Sequence, residues 1–147
     1  MSLSWGQSLK RFRQLNQSVR SDLVKGMDKV TVRTGKYLKR RSEVRTPVDT
    51  GFAKRSWAMS ESRKGSSASS RLKQVEVFNT ATTAKNPRNR GKQGMMPGIY
   101  YLPWLEYGTI NLTPRRFFRK AQMEAKKYQE QITDNYARNL RTKYNGS

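Results

Sequence analysis

The sequence predicts an α+β fold, in which two long helices pack on a small, mostly antiparallel β-sheet. Apolar residues recur at three- and four-residue steps over 5–44 and again over 114–144, which is the spacing of one helical face. Apolar and polar residues alternate over 54–61 and 71–79, which predicts two strands. The chain of 147 residues fits a single domain, 1–147, with one modest core.

The N-terminal helix is predicted over 5–44, with Lys and Arg at most positions outside the apolar stripe. Gly26 and the segment 31–35 weaken the pattern, so a kink or break is allowed there. Pro47 ends the helix, because the residue before a proline is pushed out of helical geometry.

A turn is predicted at 46–51, where the sequence reads Thr-Pro-Val-Asp-Thr-Gly. Pro47 fixes its own φ, and the side chains of Asp49 and Thr50 can bond nearby backbone amides. Gly51 permits a positive φ. A helix-to-strand turn is favoured here over a role in binding a ligand.

The sheet region is predicted over 54–109, where a segment near 98–109 joins the two strands. Flexible loops are expected at 62–70 and 80–98. The second is a long basic loop without acidic residues, and its candidate DNA-facing residues are Lys85, Arg88, Arg90 and Lys92. The residues leave two interpretations open, a nucleic-acid contact or a solvated, disordered loop.

Glu106 stands among large apolar side chains in the segment 101–109. Pairing with one of the many cations is favoured over catalysis, because no His, Cys or second acid accompanies it.

The C-terminal helix is predicted over 114–144, with Thr113 as N-cap and Pro114 at the first helical position. Nothing else in the chain is expected to cover the far end of its apolar stripe. That end is therefore predicted to be a subunit interface, formed by Ile132, Tyr136, Leu140 and Tyr144. A platform on which tyrosines stack with bases is the less favoured interpretation.

Composition limits the function. Lys and Arg total 31 against 10 acids, so the net charge of +21 attracts polyanions, nucleic acid first and acidic protein surfaces second. Without Cys or His, the usual nucleophiles, bases and metal ligands are missing, so we expect no enzyme, no metal and no cofactor. No apolar run approaches a membrane span and the N-terminus does not read as a signal peptide, so we expect a cytoplasmic protein without a membrane partner.

Three segments, in this order, resemble a known family. The first is Pro-Val-Asp-Thr-Gly at 47–51. The second contributes Tyr101, Pro103, Glu106, Tyr107, Gly108 and Thr109. The third is the helix start at 115–121, with Phe117 and Phe118. The chain therefore resembles the small head–tail joining proteins (neck or tail-completion proteins) of long-tailed bacteriophages. It departs from the family pattern at Ala53, where a Leu is usual, and at Arg116, where a Pro is usual.

The resemblance implies a structural protein of the virion, which completes the tail end or joins the tail to the head as an oligomeric ring around the DNA channel. It implies further copies of the chain, connector proteins and tail-tube or tail-terminator proteins as partners, with transient nonspecific contact with double-stranded DNA. The motif residues are expected to build the fold, and no enzyme activity is implied. The expected location is the neck or tail of the virion, after assembly in the host cytoplasm.

Charge alone favours an alternative, a general nucleic-acid-binding protein without sequence preference. An enzyme acting on nucleic acid is the least favoured class, because the expected catalytic side chains are absent from the sequence.

Overall fold

A computed structural model of the chain describes residues 5–47, 52–64, 72–81 and 102–145. Within these ranges the elements are α1 (Trp5–Arg45), α2 (Phe52–Arg55), β1 (Trp57–Lys64), β2 (Leu72–Asn79), α3 (Leu102–Tyr107) and α4 (Phe117–Asn145). A long helix at each end and a small antiparallel sheet confirm the predicted α+β class.

Helix α1 runs without interruption through 26–35, so the break allowed by the sequence does not occur. Its glycines instead allow other elements to approach closely. A Cβ atom at Gly26 would lie 1.8 Å from the ring of Tyr136 in α4, and one at Gly35 would lie 2.3 Å from Val75 in β2. Nine residues separate the two glycines, which places them on opposite sides of the helix at about 100° per residue. Helix α4 and the sheet therefore pack on opposite sides of α1.

Strands β1 and β2 pair antiparallel, from Trp57 opposite Asn79 to Lys64 opposite Leu72. Strand β2 agrees with the predicted 71–79. Strand β1 is shifted from the predicted 54–61, because residues 52–55 form the short helix α2, and the first residues of the expected loop 62–70 belong to the strand.

The predicted contribution of 98–109 to the sheet is wrong for its described part. Residues 102–107 form helix α3, and the described sheet has two strands. Pro103 is compatible with the first turn of α3, since the amides of a first turn lack partners within the helix.

The hydrophobic core lies between the open end of the hairpin, α2, α3 and the start of α4. Its buried members are Ala53, Trp57, Ala81, Leu102 and Phe117. Trp57 also ties the core to the end of α1, because its Nε1 donates a 2.7 Å hydrogen bond to Oγ1 of Thr46. That hydroxyl donates to the carbonyl of Ser42 at 2.6 Å, so both roles of the buried Thr46 oxygen are satisfied.

Candidate functional site

The described parts of the second and third motif segments meet around Trp57, which also bonds to the residue before the first segment. The Phe118 ring stacks on the Trp57 ring with centroids 5.2 Å apart, and Phe117 is buried in the same core. Leu102, in the second segment, belongs to that core, and Thr46 precedes the first segment. Residues that are far apart in sequence therefore share one junction, which we call the motif junction.

Several residues of the motif segments cannot be placed in this junction. Asp49, Thr50, Gly51 and Tyr101 lie outside the described residues, so the turn at 46–51 and the positive φ of Gly51 stay predictions. Pro47 is half-buried at the end of α1, while Pro103 and Tyr107 are exposed on α3.

Glu106 joins α3 to α4. Its carboxylate accepts hydrogen bonds from the amide of Phe118 at 2.8 Å and from the amide of Arg119 at 2.9 Å. These amides belong to the first turn of α4, where helical donors have no intrahelical partner. Glu106 is only 7% exposed, and a negative charge at a helix N-terminus is favourable. Glu106 is thus a helix cap, and among the described residues these two amides replace the cation expected from the sequence.

The predicted start of the C-terminal helix is wrong. Helix α4 begins at Phe117, and neither Thr113 nor Pro114 belongs to it. The amides of Arg115 and Arg116 bond instead to the carbonyls of Leu105 and Glu106, at 3.0 and 3.2 Å. The residues before α4 therefore satisfy the end of α3, and the cap comes from Glu106.

Gly108 and Thr109 form the turn that brings the chain back from α3. Gly108 has a φ of +80°, in the left-handed region, and its amide bonds to the carbonyl of Trp104 at 2.8 Å. Thr109 and Leu112 exchange two backbone hydrogen bonds, at 2.9 and 3.1 Å. Together with Glu106, these residues position α4 on the core.

The far end of α4 packs on α1. The hydroxyl of Tyr136 donates to the backbone carbonyl of Asp22, and Lys143 and Tyr144 both bond to the Asp22 carboxylate. The hydrogen bond from Lys143, and after it the one from Tyr144, holds the pKa of the Asp22 carboxyl below its ordinary value. Midway along α4, the ring of Tyr128 stacks on that of Tyr37 at 4.4 Å.

Helix α1 therefore covers part of the stripe that the sequence analysis left without a cover within the chain. Ile132, Tyr136, Leu140 and Tyr144 are half-buried on α4. The premise of the predicted interface is wrong, because α1 is available to contact this end. The interface itself stays a prediction.

An apolar stripe near the start of α1 is uncovered in the described part of the chain. Every residue from 5 to 18 is exposed, including Trp5 at 82% and Phe12 at 64%. Leu9 lies between these two residues and Leu15 follows Phe12 by three residues, and both leucines are exposed. We call these four residues the N-terminal stripe. The sequence pattern placed these residues on one face of a helix without indicating what covers that face. Helix α1 has 41 residues and α4 only 29, so α4 cannot cover all of α1.

A shallow basic groove of about 500 Å³ lies between the end of α1 and the start of α4. Its charged lining residues are Arg41, Arg45, Arg115 and Lys120. Glu124 already pairs with Arg41 and Arg45, and the bond from Arg45 lowers the pKa of the Glu124 carboxyl. Part of the groove charge is therefore neutralised within the chain.

The described residues contain no group of carboxylates that could hold a metal ion, and His and Cys are absent from the whole sequence. None of the described helices is both long and apolar enough to cross a membrane. The loop cations Lys85, Arg88, Arg90 and Lys92 lie outside the described residues, so the structure does not bear on their predicted contact with DNA.

Comparisons of the chain with protein-family models, with curated proteins and with solved structures find no match.

Proposed function

We propose that this chain is a structural protein of a tailed bacteriophage virion, which completes the tail end or joins the tail to the head. The ordered motif segments support the proposal, since they are what the chain shares with the head–tail joining proteins. The geometry of their described residues agrees with the role expected of them. Glu106 caps a helix, Gly108 forms a turn and Phe118 stacks in the core, so these residues build the fold.

The N-terminal stripe is the observation that carries the proposal, because a protein of an assembly needs a surface for its neighbours. Large apolar side chains that project along a helix are typical of a protein–protein contact. We propose that the protein acts as an oligomeric ring around the DNA channel, in which this helix start contacts the next copy of the chain or a connector or tail protein. The protein then resides in the neck or tail of the virion and acts as a scaffold, without catalysis.

A general nucleic-acid-binding protein is the alternative, and the net charge of +21 favours it. The two functions differ in what the purified protein does without partners. A ring protein forms oligomers of defined size, whereas the alternative predicts a monomer whose main activity is DNA binding.

A complementation experiment tests the proposal. A phage that encodes this chain is given a disrupted copy of the gene, and particles are examined by electron microscopy and plaque assay. We expect filled heads and tails that fail to join, or tails with irregular ends. Supplying the gene in trans should restore infectious particles. Normal infectious particles made without the protein would refute the proposed function.

A further inference from the structure

We propose that α1 carries a binding site for the phosphate backbone of duplex DNA along its solvent-facing side. Five cations form this site, which we call the α1 ridge: Lys25, Lys29, Arg33, Lys36 and Arg40. The inference rests on the proposed function for its place in the virion, where it names the surface that DNA contacts.

The ridge is straight and continuous. Its residues follow one another at steps of four, four, three and four, so at 100° per residue they lie within an arc of about 80°. The arc spans about 22 Å along the axis at 1.5 Å per residue. All five residues are exposed, and between Lys25 and Arg40 this arc of the helix contains only Lys and Arg.

The acids that flank the ridge are bonded to other groups. Asp28 accepts the amide of Lys73 at 2.9 Å and pairs with Arg63 at 3.1 Å. Asp22 pairs with Lys143, and Glu61 pairs with Lys73. Asp22 and Glu61 attract Lys25 and Lys36 only over a longer range.

Glu43 lies in line with the ridge, one turn past Arg40, whereas Glu124 lies on α4, and both pair with cations outside the ridge. Glu43 pairs with Lys39, while Glu124 pairs with Arg41 and Arg45. Among the described residues, none of the five ridge cations lies within 4 Å of a carboxylate. The ridge therefore keeps its charge, whereas the cations of the groove at the end of α1 are partly neutralised.

The chemistry of the ridge fits duplex DNA better than the other polyanions. A contact with an acidic protein surface normally has an apolar centre, and the ridge has none. Single strands are bound through aromatic side chains that stack on bases, and no aromatic residue lies on the ridge. Evenly spaced cations on a rigid helix instead match the regular phosphates of a duplex, which they bind without reading sequence.

The test is the salt dependence of DNA binding by the purified full chain. A triple variant, K29Q/R33Q/K36Q, removes the middle of the ridge, and K126Q/R138Q/R141Q removes the same charge from exposed positions of α4. Binding to a short fluorescein-labelled duplex is followed by anisotropy over a series of NaCl concentrations. Glutamine keeps a good helix propensity, and circular dichroism checks that both variants keep the wild-type helix content.

We expect the ridge variant to lower the slope of log Kd against log salt by about 2–3, since each phosphate contact contributes about 0.9. The α4 variant should change the slope by less than about one contact. A variant that keeps the charge, K29R/R33K/K36R, should bind as the wild type does. Equal losses in the two glutamine triples, or no loss in the ridge triple, would overturn the site.

A competition experiment distinguishes the two polyanions. Unlabelled duplex should displace the labelled duplex at a lower concentration of charge than poly-L-glutamate does. Equal displacement by poly-L-glutamate would overturn the proposal in favour of an acidic protein partner. These binding measurements need no phage, so the two proposals can fail separately. If the ridge binds DNA but particles assemble normally without the protein, only the proposed function is refuted.

Discussion

Glu106 stabilises α4 from outside that helix. The first turn of α4 contains no acidic residue, so the helix has no carboxylate of its own near its N-terminus. Without Glu106, the two amides that donate to it would lack a partner at a partly buried position. A buried amide without a hydrogen-bond partner lowers the stability of the fold by more than the hydrogen bond itself contributes.

Replacing this carboxylate tests the cap. Glu106→Gln should lower the free energy of unfolding by about 1–3 kcal/mol, because the amide group loses the charge and can accept only one of the two bonds. Glu130→Gln, at an exposed position of α4, is the control and should change it by less than about 0.5 kcal/mol. Urea denaturation followed by circular dichroism measures both. Equal stability of the two variants would show that the cap contributes nothing.

Gly108 is required by the turn after α3. A Cβ atom there would lie 2.5 Å from the backbone carbonyl oxygen of Leu112, and the φ of +80° is itself unfavourable for other residues. Gly108→Ala should therefore destabilise the protein by roughly 1–3 kcal/mol.

Arg116 provides the matched comparison for Gly108. It is an exposed residue with a positive φ, of 49°, and glycine adopts that conformation without strain. Arg116→Gly should therefore leave the melting temperature near that of the wild type, while Gly108→Ala lowers it. A Gly108→Ala protein as stable as the wild type would contradict the assigned turn.

Residues near α4 illustrate the limit of sequence reasoning at this scale. Thr113 and Pro114 have the composition of a helix start, but the backbone amides after them are used by α3. The actual cap is Glu106, on another element, and a local pattern cannot indicate which distant carboxylate reaches a helix end. The sequence predicted a partner for the Glu106 carboxylate but not its kind, since a cation was favoured and two backbone amides are found.

At the scale of elements, the hydrophobic periodicity predicted the two long helices. It did not predict that the glycines of α1 are sites of close packing and not of a break. A glycine within a helical pattern is compatible with a break or with a close contact, and the choice depends on the element that packs there. At Gly26 the ring of Tyr136 occupies the space that a side chain would need. The hydroxyl of Tyr136 bonds to the carbonyl of Asp22, which limits how far the ring can move.

The contact between α1 and α4 is tested at Gly26. Gly26→Val should destabilise the protein by about 1–3 kcal/mol, as overpacking in a well-packed interface does. Gly6→Val is the control on the same helix, since nothing lies within 4 Å of a Cβ there, and it should change stability by less than about 0.5 kcal/mol.

A double-mutant cycle shows whether Tyr136 causes the loss at Gly26. In a Tyr136→Ala background, Gly26→Val should cost clearly less than it does in the wild type, because the ring is gone. An equal cost in both backgrounds would place the effect in the backbone of α1 instead of the helix contact.

At the scale of the whole molecule, the N-terminal stripe and the α1 ridge occupy different lengths of α1. The N-terminal stripe begins the helix, and the ridge occupies the solvent-facing side of the part that α4 and the sheet cover on the other sides. The net charge was readable from composition, but its arrangement was not, because it depends on which cations the acids bind after folding. The same holds for the stripe, whose exposure follows from where α4 ends.

The N-terminal stripe is expected to hold copies of the chain, or the chain and a neck partner, together. We expect the wild-type protein to be an oligomer in light scattering, and Trp5→Ser combined with Phe12→Ser to convert it to a monomer. Its melting temperature as a monomer should stay unchanged, because neither side chain contacts the described core.

Met123→Ser combined with Val44→Ser provides the matched control for the stripe. These residues are exposed to a similar extent, at 59% and 60%, but lie outside the stripe. The oligomer should persist in this double variant, because only the loss of side chains that lie in the subunit contact should weaken that contact. If both pairs dissociate the oligomer equally, its contacts are diffuse. If the stripe variant remains an oligomer, the subunits meet elsewhere, and the end of α4 at Ile132, Leu140 and Tyr144 becomes the surface to vary next.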